Sequence, residues 1–130
     1  MKRINLEPNE VLFEKGDNAD TAYLILDGTV DISGVGFQSN LGKLDIFGEA
    51  GLIGKNRMAT VKAQTFCALL EFTVEELRNA IKTDPETAEY MMEAMVRRLA
   101  QSADALEKAL VQSGKVGERT YKNRRFGVGK

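Results

Sequence analysis

The residues whose types and spacing could do chemistry lie in one glycine-rich segment, 47–61, which reads Phe-Gly-Glu-Ala-Gly-Leu-Ile-Gly-Lys-Asn-Arg-Met-Ala-Thr-Val. Glu49 can accept a hydrogen bond from a sugar hydroxyl, and Arg57 can fork onto two phosphate oxygens. A short helix over 49–53 would add backbone N–H groups that favour an anion. Small residues that let a ligand approach the backbone accompany them: Gly48, Ala50, Gly51 and Ala59. The segment predicts a pocket for a phosphate and a hydroxyl, although similar loops elsewhere hold only a surface ion pair.

The composition excludes several kinds of site. The chain of 130 residues has no histidine, which excludes histidine-ligated metals and histidine-based catalytic triads. Cys67 is the only cysteine, so the chain has no internal disulfide and no cysteine-cluster metal site. We therefore predict that the protein is not an enzyme and has no metal or other resident cofactor.

The elements around the segment read as short strands. From about residue 8 to 72, apolar runs of strand length alternate with glycine turns. Asp27-Gly28 between two such runs indicates a hairpin. Residues 33–40 are predicted as a loop and 41–46 as a further strand. Many short strands with glycine turns predict an antiparallel β-roll or jelly roll.

After this β region the pattern changes to that of helices. Residues 73–76, Thr-Val-Glu-Glu, form a capping box that starts a helix over about 73–82. Residues 83–86, Thr-Asp-Pro-Glu, start a longer helix over about 84–112. The expected fold class is mainly β with C-terminal helices, in one domain over 1–112.

The long helix carries an apolar seam whose residues are spaced by four and three in turn, a pattern typical of paired helices. The seam residues are Met92, Val96, Leu99, Ala103, Leu106 and Leu110. A helix of about 42 Å is too long to pack wholly on so small a β-roll. We therefore expect a homodimer through this helix, with packing on the protein's own sheets as the alternative.

The net charge of −1 hides an uneven distribution. Residues 113–130 carry six basic residues against Glu118 alone, and they are predicted to be a flexible, solvated tail. Alternatively, this basic tail docks on an acidic partner or on nucleic acid. Elsewhere the chain shows no pattern of stacking aromatic residues, so nucleic acid is not an expected partner apart from the tail.

The sequence has no apolar run near the roughly 20 residues of a membrane span. It also has no signal-peptide core at its start. The expected compartment is the cytoplasm.

The glycine-rich segment resembles the phosphate-binding cassette of cyclic-nucleotide-binding domains. These domains occur in the catabolite-activator family of bacterial regulators, in cyclic-nucleotide-dependent kinases and in gated channels. The matching residues are Phe47, Gly48, Glu49, Gly51, Leu52, Ile53, Arg57, Ala59, Thr60 and Val61. The resemblance extends over about residues 5–112, and it implies a short B helix and a long C helix after the roll.

The resemblance also implies residue roles. Glu49 would hold the ribose 2′-hydroxyl, and Arg57 would pair with the exocyclic oxygens of the cyclic phosphate. Ser102 aligns with a family hydroxyl that contacts adenine. Backbone N–H groups would complete the phosphate site, those of Gly48, Glu49, Ala50, Gly51, Met58 and Ala59.

We expect a regulatory domain that senses a cyclic nucleotide and transmits its binding through the long helix to an unidentified downstream protein. cAMP is the expected ligand, because Met58 stands where cyclic-GMP readers often have threonine. Two departures support an alternative, a nucleotide-free domain that dimerises or docks through the long helix and tail. These departures are Met58 and the spacing from Glu49 to Arg57, which is one residue shorter than in most of the family. The residues after Gln112 are too few for a DNA-binding module, so a stand-alone domain is expected.

Overall fold

The computed structural model describes residues 1–34 and 37–112, without the side chains of Phe37, Ser102 and several residues beyond Ala103. Within these residues the strands are, in chain order, β1 Lys2–Leu6, β2 Val11–Phe13, β3 Ala22–Asp27, β4 Val30–Gly34, β5 Phe37–Leu41, β6 Ile46–Phe47, β7 Thr60–Ala63 and β8 Cys67–Phe72. They form two antiparallel sheets with the strand orders β1-β8-β3-β6 and β2-β7-β4-β5. The helices are α1, Val74–Thr83, and α2, Pro85–Gln112.

The chain divides into two compact units, Met1–Arg98 and Leu99–Lys130. The first unit holds both sheets, α1 and the first half of α2, and the second begins within α2. The predicted single domain over 1–112 stays a prediction. The predicted basic tail, 113–130, lies outside the described residues.

Strand β3 shows why strands of the β1-β8-β3-β6 sheet have continuous apolar sequences. Tyr23 and Ile25 face the core that the two sheets share. Ala22 and Leu24 face the opposite way and pack with Met91 and other residues of α2. A strand that is covered on both faces carries apolar residues on both, so its sequence does not alternate between polar and apolar residues.

The other sheet has one covered face. Val30, Ile32, Val61 and Ala63 are buried in the shared core, whereas Lys62 between the last two is exposed. This alternation of buried and exposed residues is what a half-solvated antiparallel sheet requires.

Three predictions about the strands are wrong. The roll begins at Lys2 instead of about residue 8, because β1 pairs with β8 along its whole length. Residues 33–40 are not a loop, since β4 and β5 form a hairpin there. Residues 41–46 are not a strand, since Gly42–Asp45 is a turn, closed by a hydrogen bond from the Asp45 N–H to the Gly42 carbonyl.

The hairpin predicted at Asp27-Gly28 is also wrong. The turn exists, with a φ of 90° at Gly28, but it joins strands of different sheets: β3 pairs with β6 and β8, and β4 pairs with β5 and β7. A Cβ at Gly28 would lie 2.2 Å from the carbonyl oxygen of Phe66. Glycine is needed here because the chain crosses between sheets against the β7–β8 connection.

The helices begin at the predicted signals. The Thr73 hydroxyl accepts from the Glu76 N–H, and the Glu76 carboxylate accepts from the Thr73 N–H, which completes the capping box of α1. Met91 and Ala94 of α2 are buried against the β1-β8-β3-β6 sheet. The β1-β8-β3-β6 sheet is therefore covered on both faces, by the other sheet and by α2.

Candidate functional site

The glycine-rich segment connects β6 to β7. Gly48 follows β6 with a φ of 73°, and the 3₁₀ helix Glu49–Ile53 ends at Gly54 with a φ of 75°. Both values lie in the left-handed region that favours glycine. The prediction of a short helix over 49–53 is confirmed.

Arg57 is a buried arginine, with only 6% of its surface exposed. Its Nη1 donates to the carbonyl oxygens of Thr21 and Gly48 at 2.8 and 3.1 Å, and its Nη2 donates to Thr21 Oγ1 at 3.1 Å. The guanidinium carbon lies 4.1 Å from the ring centroid of Phe13 and 5.3 Å from that of Tyr23. The cation is thus held against two aromatic rings and three neutral oxygens.

This buried cation has no anionic partner in the described part of the chain. The ion pairs there join the Met1 amine to Glu76 and Glu49 to Arg98, and neither includes Arg57. The Arg57 Nε is buried and has no hydrogen-bond partner among the described residues. Arginine is rarely buried unpaired, because a buried charge needs a compensating charge and a full set of hydrogen bonds. The described residues therefore leave the charge of Arg57 uncompensated.

The glycines of the segment make room for this arginine. A Cβ at Gly48 would lie 2.8 Å from Arg57 Nη1. A Cβ at Gly51 would lie 2.3 Å from the Thr21 carbonyl oxygen and 3.0 Å from Nη1. The sequence predicted small residues here for the approach of a ligand, and the structure gives them a further reason, the close passage of the segment over Arg57.

Glu49 forms an ion pair with α2. Its Oε1 accepts from Arg98 Nε at 2.9 Å, with 41% of the Glu49 side chain and 27% of the Arg98 side chain exposed. The carboxylate has a second oxygen that can accept a further hydrogen bond. The residue expected to bind a sugar hydroxyl is therefore oriented by the long helix.

A family model described as the cyclic nucleotide-binding domain matches residues 3–84. The chain belongs to the cyclic nucleotide-binding domain family. The cAMP-activated global transcriptional regulator CRP of Salmonella typhimurium is 32% identical over 101 residues, which cover 72% of this chain and 48% of the relative. The chain thus spans about half the length of that relative.

Solved structures of other regulators share the fold. The N-terminal domain of a transcriptional regulator from Streptomyces coelicolor A3(2) is 29% identical, with a TM-score of 0.56 over 81% of this chain and 78% of that one. The c-di-GMP responsive global regulator CLP of Xanthomonas campestris has a TM-score of 0.67 over 86% of this chain and 59% of that one. At 23% identity the latter likeness shows the fold alone. The predicted fold class, an antiparallel β-roll followed by a short and a long helix, is confirmed.

The other predicted site residues of this cyclic nucleotide-binding domain lie near Arg57 in the chain, except for Ser102. Ala50 is half-buried in the 3₁₀ helix, and Ala59 packs against the shared core. Met58 is 69% exposed. Ser102 belongs to α2, but its side chain lies outside those described.

Sequence reasoning missed the residues that surround Arg57 and Glu49. No motif in the sequence marks Phe13, Thr21 or Tyr23 as neighbours of Arg57. Nor does any motif mark Arg98 as a partner of Glu49. The sequence of an apolar strand does not indicate which distant arginine the strand will contact in the folded protein.

An apolar groove lies apart from this site, between the end of α1 and α2. Its volume is about 750 Å³, and its lining includes Ile81, Pro85, Ala88, Met92 and Val96, with the carboxylates of Glu89 and Glu93. Met92 and Val96, two of the predicted seam residues, are 52% and 64% exposed.

The described residues include neither a metal-ligand cluster nor an activated cysteine. No group of three or more His, Cys, Asp or Glu residues among them could hold a metal ion. Burial raises the pKa of the Cys67 thiol, which makes it a poor nucleophile. None of the described helices is both long and apolar enough to cross a membrane.

Proposed function

We propose that this domain binds a cyclic nucleotide through Arg57 and Glu49, with cAMP as the first candidate, and that α2 transmits the binding event. The observation that carries the proposal is the buried Arg57, whose guanidinium lacks an anionic partner and whose Nε lacks a hydrogen bond among the described residues. A regulatory role is consistent with the relative named as a cAMP-activated regulator.

The phosphate would pair with the unused edge of Arg57 once the atoms that cover Nε move aside. Thr21 occupies the edge formed by Nη1 and Nη2. The adjacent edge, formed by Nε and the second N–H of Nη2, is the other fork with which arginine binds two oxygens at once. A cyclic phosphate offers two exocyclic oxygens and one negative charge, which would compensate the buried cation.

The ribose hydroxyl fits Glu49. With Oε1 held by Arg98, the remaining carboxylate oxygen can accept the hydroxyl hydrogen. The same carboxylate would then contact both the ligand and α2. A shift of α2 would therefore change the ligand site, and ligand binding would change the position of α2. Because a half-exposed ion pair contributes only about 0–1 kcal/mol, such a link can be remade at little cost.

Thermal unfolding with cAMP, cyclic GMP and c-di-GMP tests the proposal. A ligand at about 100 times its dissociation constant should raise the unfolding midpoint by about 10 °C. Arg57→Lys and Glu49→Gln should each abolish most of the shift, because lysine lacks the fork and glutamine lacks the charge. Lys55→Ala, which removes an exposed cation from the same loop, is the matched control and should keep it. If none of the nucleotides shifts the wild type, the proposal is wrong.

The second candidate is a docking or dimerisation module without a nucleotide. The apolar groove with its half-exposed Met92 favours it. This reading predicts no thermal shift with any of the three nucleotides, together with self-association or partner binding that Met92→Asp removes. This candidate would be contradicted if the wild type binds a nucleotide and Met92→Asp changes neither self-association nor partner binding.

A further inference from the structure

Thr21 contacts two nitrogens of the buried guanidinium. Its carbonyl oxygen accepts from Nη1 at 2.8 Å and its Oγ1 accepts from Nη2 at 3.1 Å. Two contacts from one residue fix both the position and the rotation of a planar group. Thr21 directly precedes β3, so the end of a central strand sets the orientation of Arg57.

The Thr21 hydroxyl is itself oriented by Glu71. A hydroxyl has a single hydrogen, and that of Thr21 is directed to Glu71 Oε2 at 3.3 Å, which leaves its lone pairs for Arg57. The Tyr23 hydroxyl, 3.5 Å from Thr21 Oγ1, donates to the same Oε2 at 2.7 Å. Burial raises the pKa of the Tyr23 phenol, which keeps its hydrogen available as a donor.

The anchor of this chain of hydrogen bonds lies in the middle of a sheet. Glu71 on β8 is the register partner of Tyr23 on β3. The Tyr23 ring stacks on Phe47, with centroids 5.2 Å apart and an interplanar angle of 15°, and Phe47 directly precedes Gly48. The strands, the glycine-rich segment and Arg57 are thereby fixed relative to one another.

We propose that Thr21 and Glu71 are positioning residues of the nucleotide site, which hold one edge of Arg57 and thereby fix the orientation of its guanidinium for the phosphate. This inference rests on the proposed function. Glu71 acts through Thr21: it supplies the acceptor that turns the hydroxyl, and it places a carboxylate one hydroxyl away from the buried cation.

Substitutions that preserve shape test this role. Thr21→Val removes the hydroxyl and should raise the dissociation constant of the nucleotide about tenfold, which is typical of one lost hydrogen bond to a charged group. Thr21→Ser restores the hydroxyl and should bind within about threefold of the wild type. Glu71→Gln should weaken binding less than Thr21→Val, because an amide oxygen can still accept. Thr65→Val is the control, since it removes a hydrogen-bonded hydroxyl that does not contact Arg57.

Two further measurements separate positioning from a general effect on folding. In an Arg57→Lys background, Thr21→Val should cause no additional loss of affinity, because the oriented fork is already gone. In the ligand-free protein, the ¹⁵N NMR signal of Arg57 Nε–H should exchange slowly with water in the wild type and in Thr21→Ser. It should exchange rapidly in Thr21→Val and faster than wild type in Glu71→Gln.

The outcomes distinguish this inference from the proposed function. If the wild type binds a nucleotide and Thr21→Val and Glu71→Gln bind it equally well, the positioning role is wrong and the proposed function stands. If the wild type binds no nucleotide, the proposed function is wrong and so is a role in a nucleotide site, even where the NMR signal shows that Thr21 orders Arg57. If Thr21→Val does not fold, Thr21→Ser and Glu71→Gln decide by the same affinities and exchange rates.

Discussion

At the scale of single residues, Arg57 is a charge that the domain keeps in its interior. Desolvation of a cation costs several kcal/mol, which is a large share of the roughly 5–15 kcal/mol by which a domain is stable. Three hydrogen bonds and the face of Phe13 at 4.1 Å offset part of this cost. The remainder is the energetic reason why an arriving anion should find a favourable site.

The close passage over Arg57 makes Gly51 a sensitive position. Gly51→Ala would place a Cβ 2.3 Å from the Thr21 carbonyl oxygen, a backbone atom that cannot move aside as a side chain can. We expect about 1–3 kcal/mol of destabilisation and a displaced Arg57, with nucleotide binding weakened at least tenfold. Denaturant unfolding and calorimetry measure the two effects.

Gly42→Ala is the matched control for this experiment. The nearest side-chain atom to its Cβ would be Thr29 Cγ2 at 3.6 Å, an ordinary contact. Unfolding and binding should therefore stay close to the wild type. Equal losses in Gly42→Ala and Gly51→Ala would refute the close passage as the cause.

At the scale of elements, the turn before β6 contains a leucine with a φ of 69°. A residue with a side chain pays about 1–2 kcal/mol in this left-handed conformation, and glycine does not. Leu44→Gly should therefore stabilise the domain, by about 0.5–1 kcal/mol after the greater entropy of glycine in the unfolded chain is counted. Leu44→Ala keeps the strain and should not stabilise it. A lower unfolding midpoint for Leu44→Gly than for Leu44→Ala would contradict this explanation.

The same turn shows how far the sequence predicts the elements. Leu44 between Lys43 and Asp45 has the alternation of a strand, and no rule of pattern assigns a leucine to a left-handed turn. The Asp27-Gly28 turn was found correctly, but strand partners 40 or more residues away are not encoded in local periodicity. The capping box and the apolar runs predicted the helices and the strand-rich class, because those signals are local.

The residues of the candidate site also fall into two groups, those that the sequence predicts and those that only the folded structure reveals. Glu49 and Arg57 were found because a short segment contains both. Thr21 is 36 residues from Arg57, and Arg98 is 49 residues from Glu49, so only the folded chain brings these partners together. Residue types and spacing predict the groups that meet a ligand, whereas their orienting neighbours depend on tertiary structure.

The contact between α2 and the 3₁₀ helix can be tested with two adjacent arginines. Arg98 donates to Glu49, whereas Arg97 donates to the Leu44 carbonyl oxygen at 2.9 Å. Arg98→Ala should weaken nucleotide binding by about threefold, since Glu49 loses its orientation, with a stability change below about 1 kcal/mol. Arg97→Ala should leave the affinity unchanged. The assignment fails if calorimetry gives both variants the same affinity.

At the scale of the whole molecule, exposed apolar residues on α2 predict self-association. Val96 and Leu99 are 64% and 70% exposed, and a contiguous patch of exposed apolar residues is typical of an interaction surface. We expect a dimer in sedimentation experiments, and a monomer for Val96→Asp combined with Leu99→Asp. Tyr90→Asp, which changes another exposed residue of α2 outside the seam, should stay dimeric. A monomeric wild type at high concentration would rule out the predicted pairing.

The pairing of β1 with β8 also governs how the chain reaches its fold. Lys2 lies opposite Glu71, and Leu6 lies opposite Cys67. The first strand therefore has no partner until β8, the last described strand, has been synthesised. Such distant pairing gives a high contact order and slow folding. On the ribosome, a nascent chain that has not yet released β8 cannot close this sheet, and it lacks Glu71. We therefore expect the proposed nucleotide to bind only after β8 has joined the sheet.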